Sequence, residues 1–395
     1  MTFIFMKKQN VFYAFILTAL CIGCQTINSI PQKENVSESQ LTGNVEKITE
    51  IGEILYREGD YYKALDYFNQ AIKIDPSYTL AHHNRGVVYF TLGKYSEAIP
   101  NFDQAIILEP QNKLSFYFRG VTYYDMGNYE QSVRDYTKAL EIDPYFAWAY
   151  NNRALALYQL GKYEEAINDH SMAINADDST YKFYDNRAWV YFGIGEYDKA
   201  LLDYTASLKL NNKNALTYYR RGLVNNSLGR YANSLADFNR ALLIDPNLID
   251  VYGARGMTYF NLKRYEEALE DFDQALKVDP NSTDAYFGRG TVYFALGRYA
   301  DAINDSSQVL RINPKYVDAY KLRGVTYFHM EKYVEAIADY TASIELKPSD
   351  WEIYKFRGEA YTKLAESAPE RMQQEIYLKK AEPDFEIYKN NEPKP

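Results

Sequence analysis

One spacing governs this sequence. Gly-x-Tyr occurs as Gly59-Asp60-Tyr61, Gly93-Lys94-Tyr95, Gly127-Asn128-Tyr129, Gly161-Lys162-Tyr163, Gly195-Glu196-Tyr197, Gly229-Arg230-Tyr231 and Gly297-Arg298-Tyr299. The tyrosine continues without a gap through Tyr265 and Tyr333, and every step is 34 residues. Nine such periods fill residues 45–350 with no insertion. A fixed period of this size marks a small helical or strand unit that cannot bury its own apolar face. Stacking on copies of itself is what buries it. The period also explains the tyrosine content, 40 of 395 residues.

The period 79–112 shows what the unit is. Ala81–Leu92 carries apolar residues at helical spacing and reads as a first helix, A. Gly93 follows as a left-handed stop. Tyr95–Leu108 reads as a second helix, B, closed by Pro110. Each helix is then roughly 21 Å long. Gly86, Ala98 and Ala105 let the two approach closely, and Tyr89 and Phe102 fill the remaining space.

The chain end continues the pattern in altered form. Trp351–Leu364 repeats helix A, with Arg357, Gly358 and Tyr361 in register. Asp384, Phe385 and Pro393 recover helix B, displaced by 11 residues. Eleven residues are about three helical turns, so the insertion is expected to lengthen helix B without rotating its apolar face. Ser367 and Pro369 read as its start, and Pro383 as a kink. Residues 351–395 are thus expected to form a tenth, lengthened repeat acting as the C-terminal cap.

The pattern resembles the tetratricopeptide repeat (TPR). That family has Gly or Ala at repeat position 8, Tyr at 11, Ala at 20, an aromatic at 24, Ala at 27 and Pro at 32. Position 8 here is Gly52, Gly86, Gly120, Ala154, Ala188, Gly222, Gly256, Gly290 and Gly324. Position 32 is Pro in all but repeats 4 and 5, which carry Asp178 and Asn212. The resemblance covers everything from residue 45 onward. It implies an all-α, right-handed superhelical solenoid of about ten helix-turn-helix repeats.

Position 7, usually leucine in the family, is arginine from Arg85 through Arg119, Arg153, Arg187, Arg221, Arg255, Arg289 and Arg323 to Arg357. Position 23 is Asp135, Asp169, Asp203, Asp237, Asp271, Asp305, Asp339 and Asp384. Repeat 1 lacks both charges, with Ile51 and Tyr67, and repeat 2 pairs Arg85 with Asn101. The two positions change together, which favours a ladder of bridges between helices A and B of one repeat. A basic groove for an acidic ligand is the alternative.

Composition excludes several classes of function. The net charge of −9 argues against nucleic acid as the main ligand. Both cysteines, Cys21 and Cys24, lie in the first 24 residues. The repeats therefore hold no disulfide framework and no cysteine-based zinc site. No phosphate-cradling loop, dinucleotide fingerprint or His-Glu-x-x-His occurs. His82 and His83 are adjacent on a helix and point about 100° apart, His170 takes the place of a core aromatic, and His329 is isolated. No enzyme activity, metal or small-molecule cofactor is expected.

The first 24 residues read as an address. Lys7 and Lys8 precede the apolar run Val11–Ile22, which is too short for a permanent span but suits a signal peptide starting at Met1 or Met6. The segment ends Cys21-Ile22-Gly23-Cys24 and resembles the lipobox of bacterial lipoproteins. By that resemblance residues 1–23 are removed and Cys24 carries the lipid. Gln25 after it is compatible with the outer membrane, facing the periplasm. Residues 24–44 then form a polar tether with a reach of roughly 25 Å.

In the family a partner peptide lies on the concave face of the A helices, at positions 2, 5, 6, 9, 12 and 13. Position 12 is almost wholly aromatic, as in Tyr56, Phe90, Tyr124 and Phe260, with partial packing between helices as the rival reading of the stripe. The centre of the array departs most from the rest. Trp148, Asn151, Asn152, Tyr158, Asp185, Asn186, Trp189, Phe192, Tyr219, Arg220 and Asn226 stand on groove positions there. Aromatic anchors beside amides suit an extended peptide, and they form the candidate site. The family's chaperone-tail clamp, which needs Lys at position 5 and Asn at 9, is excluded by pairs such as His83/Val87 and Asn151/Leu155. The expectation is a lipid-anchored scaffold for a protein or peptide partner in the envelope. A surface-displayed module for an external ligand and a glycan-directed enzyme or subunit are the alternatives.

Overall fold

The computed structural model describes residues 44–392. The signal segment, Cys24 and the tether lie outside the described residues. Among those described, twenty helices run as consecutive pairs. They are α1 (Val45–Arg57), α2 (Tyr61–Ile74), α3 (Thr79–Thr91), α4 (Tyr95–Leu108), α5 (Lys113–Asp125), α6 (Tyr129–Ile142), α7 (Ala147–Gln159), α8 (Tyr163–Ala176), α9 (Tyr181–Gly193), α10 (Tyr197–Leu210), α11 (Ala215–Ser227), α12 (Tyr231–Ile244), α13 (Ile249–Asn261), α14 (Tyr265–Val278), α15 (Thr283–Ala295), α16 (Tyr299–Ile312), α17 (Val317–His329), α18 (Tyr333–Leu346), α19 (Trp351–Ser367) and α20 (Arg371–Asn391). The chain divides into two compact units, Met1–Val190 and Tyr191–Pro395, with the boundary inside α9. The fold is all-α, about ten stacked helix pairs, as the repeat period requires.

Within a pair, the turn is set by hydrogen bonding. In the second repeat the Gly93 N–H donates to the Phe90 carbonyl and the Lys94 N–H to the Tyr89 carbonyl, both at 2.9 Å. This is the Schellman closure, and it needs a left-handed residue; Gly93 has φ +71°. Two repeats make the same closure without glycine, at Lys263 and Glu331, both at φ 59°.

Helix B ends by a second device. Asp143 Oδ1 accepts from the Tyr145 N–H, and Asp245 Oδ1 from the Asn247 N–H, both at 3.0 Å. The residue at position 31 thus forms an Asx turn. Repeats 4 and 5 lack the closing proline, yet Asp177 binds the Ser179 N–H at 3.0 Å and Asn211 the Lys213 N–H at 3.1 Å. Their B helices end in register with the others.

Two rules hold the pairs together. Aromatics at position 24 are buried against glycines of helix A. A Cβ on Gly222 would lie 2.5 Å from Phe238 Cε1, so any side chain there forces the ring out. The Arg–Asp ladder is the second rule, and it lies within repeats as expected. Arg221 Nε and Nη2 donate to the two oxygens of Asp237 at 3.0 and 2.7 Å. The same two-pronged bond joins Arg119 to Asp135, Arg153 to Asp169, Arg255 to Asp271 and Arg323 to Asp339. Donation to the Asp339 carboxylate pushes the Arg323 guanidinium pKa up. Arg85, bonded to the neutral amides of Asn101 and Asn69, is instead pushed down by burial.

Each arginine also has a third arm that the sequence did not reveal. Nη1 reaches the preceding repeat's helix B at position 25: Arg153 to Thr137, Arg187 to Ser171 and Arg255 to Asn239, at 3.0, 2.9 and 2.6 Å. The arginine therefore ties its own pair together and to the pair before it.

The last pair keeps this register through its insertion. Arg357 binds both oxygens of Asp384 at 2.8 and 2.7 Å, across the displaced spacing. The extra residues do not all enter helix B as expected. α19 has 17 residues against 13 in a regular A helix, and α20 has 21 against 14 in a regular B helix. Ser367 closes α19, its hydroxyl donating to the Leu364 carbonyl at 2.9 Å, and α20 starts only at Arg371. Both additions are near-whole numbers of turns, so neither helix rotates its packed face. α20 continues through Pro383.

Candidate binding site

Seven of the sequence-predicted residues lie in the first unit. The amides among them are buried and bonded to one another. Asn186 Nδ2 donates to Asn151 Oδ1 at 3.0 Å, Asn151 Nδ2 to Asn152 Oδ1 at 3.0 Å, and Asn152 Nδ2 to the Tyr117 hydroxyl at 2.8 Å. None of the three asparagines is more than 9% exposed. The amides form a polar seam between successive A helices. Satisfied in this way, a buried amide is tolerated; broken, each lost bond costs about 1–3 kcal/mol.

The aromatic members remain half-buried on the same face. Trp148 meets Phe183 edge-on at 5.0 Å between centroids, and Lys182 Nζ stands 5.8 Å from its ring. Burial pushes Lys182 down. Burial also pushes the Tyr158 hydroxyl up, although Trp189 hydrogen-bonds to it. Asp185 is buried, 5% exposed. The half-buried Trp148 and the Tyr158–Trp189 pair therefore stand on α7 and α9, the two helices that the buried asparagine seam joins. The fully buried Tyr117 and Phe183 support these residues from beneath, the half-buried Lys182 lies beside Trp148, and all three were missed. The signal was present: the interrepeat bonds Asn152–Tyr117 and Asn186–Asn151 each span one period plus one residue.

The other four residues lie in the second unit. Tyr219 and Arg220 are 5% and 2% exposed. Tyr219 stacks at a tilt on Phe238, 6.1 Å between centroids. Phe192 packs on Tyr197 at 5.9 Å. Asn226 Nδ2 donates to Thr258 Oγ1 at 2.9 Å.

The Phe192–Tyr197 contact is general. Each position 12 aromatic meets the tyrosine five residues on, across the turn. Centroid distances run from 5.2 Å at Tyr124–Tyr129 to 5.9 Å at Phe192–Tyr197. The stripe is a clasp between helices A and B, which is the packing reading of it.

The histidines also have structural surroundings. His83 bonds Ser115 Oγ through Nδ1 at 2.9 Å, between Phe102 and Phe118. His170 is fully buried and neither ring nitrogen has a hydrogen-bond partner. Burial pushes His83 down to about 4 and His170 down to about 3. An imidazole whose folded pKa lies below its unfolded value takes up its proton only on unfolding. Stability is then complete above the unfolded value, near 6.5, and falls as pH drops toward the folded one. At pH 5 the expected loss is about 2 kcal/mol for each histidine. Urea midpoints at pH 7.5 and pH 5 check this. His170→Phe, the residue class of other repeats at this position, should lose distinctly less than wild type on acidification. Equal losses would show that His170 does not titrate in this way.

Among the described residues, no group of three or more histidines, cysteines or carboxylates is placed to hold a metal ion. The repeat geometry, the small-residue contacts and the turn closures are those of one family, and sequence comparison agrees. Tetratricopeptide-repeat family models match 52–93, 79–112, 120–161, 147–178, 181–214, 215–248, 249–282, 272–304, 290–331 and 317–350.

The chain belongs to the tetratricopeptide repeat family.

Between residues 52 and 350 the TPR matches leave only 113–119 and 179–180 uncovered. A solved TPR protein from Parabacteroides merdae is similar in fold, with a TM-score of 0.53 and 21% identity over 63% of this chain and 99% of that one. Pseudomonas aeruginosa pilF matches at a TM-score of 0.48 and 18% identity, over 53% of this chain and 96% of its own. YrrB, a TPR protein with an unusual peptide-binding site, matches at 0.41 and 22% identity, over 47% and 95%. No curated protein sequence matches the chain. TPR proteins are in general non-catalytic interaction scaffolds, and the fold suggests protein or peptide partners.

Proposed function

We infer that this TPR protein is a non-catalytic scaffold held by lipid on Cys24 at a bacterial envelope membrane, where its A-helix face binds a protein or peptide partner. The observation that carries the reading is the ordered surface around Trp148. The indole is fixed by Phe183, overlain by Lys182 and backed by the buried amide seam. A rigid aromatic beside a cation loses little side-chain entropy on binding. The anchor rests on the lipobox resemblance ending at Cys24, and the outer-membrane, periplasm-facing placement on Gln25. No described helix is long and apolar enough to cross a membrane; the proposal gives attachment to lipid instead.

A crosslinked pull-down from native envelopes, read by mass spectrometry, tests the partner. Wild type is compared with Trp148→Ala/Trp189→Ala of verified helical content. One envelope protein captured by wild type and lost by the variant is expected. Capture by both would move the site elsewhere, and no specific capture would sink the scaffold reading. Fatty-acid labelling that persists in Cys24→Ser would sink the anchor.

A further inference from the structure

The repeats can be compared with one another at position 11. Most carry tyrosine there, including Tyr123, Tyr259 and Tyr293. In two of those repeats the position 7 guanidinium lies within 6.0 Å of two ring centroids. Arg289 faces Tyr286 at 5.5 Å and Tyr293 at 5.8 Å, and Arg255 faces Tyr252 at 5.8 Å and Tyr259 at 6.0 Å.

Repeat 4 carries Leu157 instead. Arg153 keeps its first ring, Tyr150 at 5.5 Å, and has no ring at the second place. The facing residue of the preceding repeat is shortened as well: Val133 stands where the eight other 34-residue repeats have leucine or isoleucine. The two truncations meet, and an open hollow of about 480 Å³ lies there. Val133 and Leu157 form its floor, and Arg153 one wall. The guanidinium is locked by Asp169 at 2.6 and 2.8 Å and by Thr137 at 3.0 Å.

The other departures at position 11 are accounted for. Asn225 donates to Asp237 Oδ2 at 3.1 Å and so binds the ladder itself. Leu55 stands in repeat 1, which has Ile51 and no guanidinium to cover. Repeat 4 thus sets an arginine beside a position 11 residue that is neither a ring nor a polar substitute.

We propose that this hollow binds a tyrosine or phenylalanine side chain of a partner peptide, flanked by lysine or arginine. The ring takes the place that tyrosine holds in most of the other repeats, stacked on Arg153. The rim decides the flanking charge. Arg153 and Asp169 neutralise each other, which leaves the exposed Glu164 and Glu165. Lys162 lies 3.4 Å from Glu165, but both side chains are more than half exposed and the pair is screened. None of the hollow's residues belongs to the Trp148 surface, so the proposal stands independently of partner binding there.

The test uses the peptide Lys-Tyr-Lys with blocked ends, and methyl NMR of the protein. Shifts at the Val133 and Leu157 methyls are expected, with none from Lys-Ala-Lys. Leu157→Tyr restores the residue of the other repeats and should keep the fold while abolishing the Val133 shift; Val133→Leu is a second block. Glu164→Lys/Glu165→Lys should weaken Lys-Tyr-Lys about tenfold and favour Glu-Tyr-Glu. No methyl shift at millimolar peptide, equal shifts from Lys-Ala-Lys, or undiminished binding by Leu157→Tyr would each overturn the proposal.

Discussion

Phe272→Ala is expected to cost about 3–5 kcal/mol, among the largest losses available to a single substitution in this chain. The ring is 1% exposed and is held between glycines of two helices. A Cβ on Gly256 would lie 3.1 Å from Phe272 Cζ, and one on Gly288 only 2.3 Å from Cε1. Neither glycine has a side chain to move into the space left by the ring, so the cavity stays open. The same geometry predicts a reversal of sign. In wild type, Gly288→Ala overpacks the ring and costs about 1–3 kcal/mol. In the Phe272→Ala background the new methyl enters the void, and alanine also favours the helix by about 1 kcal/mol over glycine. Gly288→Ala should then stabilise. Denaturant midpoints of the four proteins measure this directly. If Gly288→Ala acts alike in both backgrounds, the ring is not wedged as described. Repeat arrays lose stability locally, through a unit and its neighbours. Hydrogen exchange should therefore weaken first in α13 to α15, with the amides of α1 to α6 unchanged.

The second large effect concerns the ladder. Arg289 donates from Nε and Nη2 to Asp305, both at 2.8 Å, and from Nη1 to Asp273 at 2.6 Å. Arg289→Met should cost about 3–5 kcal/mol, because Asp305, 1% exposed, is left buried without its partner. Burial already pushes the Asp305 pKa up. Without the guanidinium it rises further above its unfolded value. A carboxyl with a raised folded pKa loses stability as pH rises. The deficit of Arg289→Met against wild type should thus be larger at pH 8 than at pH 5. Arg289→Met/Asp305→Leu should recover most of the loss, since an apolar pair needs no counter-charge. A double variant as unstable as the single would show that the cost lies in packing, not in the stranded charge. Arg230 and Asp198 give the contrast. They lie 3.4 Å apart with side chains 47% and 83% exposed. Removing that pair is expected to change stability by at most about 0.5 kcal/mol.

Much of the candidate surface was legible and part of its meaning was not. Groove positions follow from the period, so Trp148, Asn151, Asn152 and Asn186 could be picked out as unusual. Their relation to one another could not. An asparagine on a helix face looks the same in sequence whether it meets solvent or another amide. The chain of bonds from Asn186 to Tyr117 depends on how far adjacent A helices are shifted, and packing fixes that shift. The position 12 stripe was ambiguous for the same reason, until the partners of Tyr124 and Phe260 across the turn were in view.

By itself the sequence determined the period, the type of unit and the pairing of arginine with aspartate inside each repeat. These are properties of spacing: 34 residues allow one helix, one turn, a second helix and a closure, and two residues that change together are bound together. Tertiary structure decided what depends on neighbours in space. The third arms reach position 25 side chains as different as Asn69, Asp103, Thr137, Ser171 and Asn239, which share a side-chain oxygen in the right place but no residue type. The insertion of the last repeat divides between α19 and α20, because each helix must keep its packed face turned to the other. No local signal around Ser367 carries that constraint; it comes from Arg357 and Asp384, which must still meet.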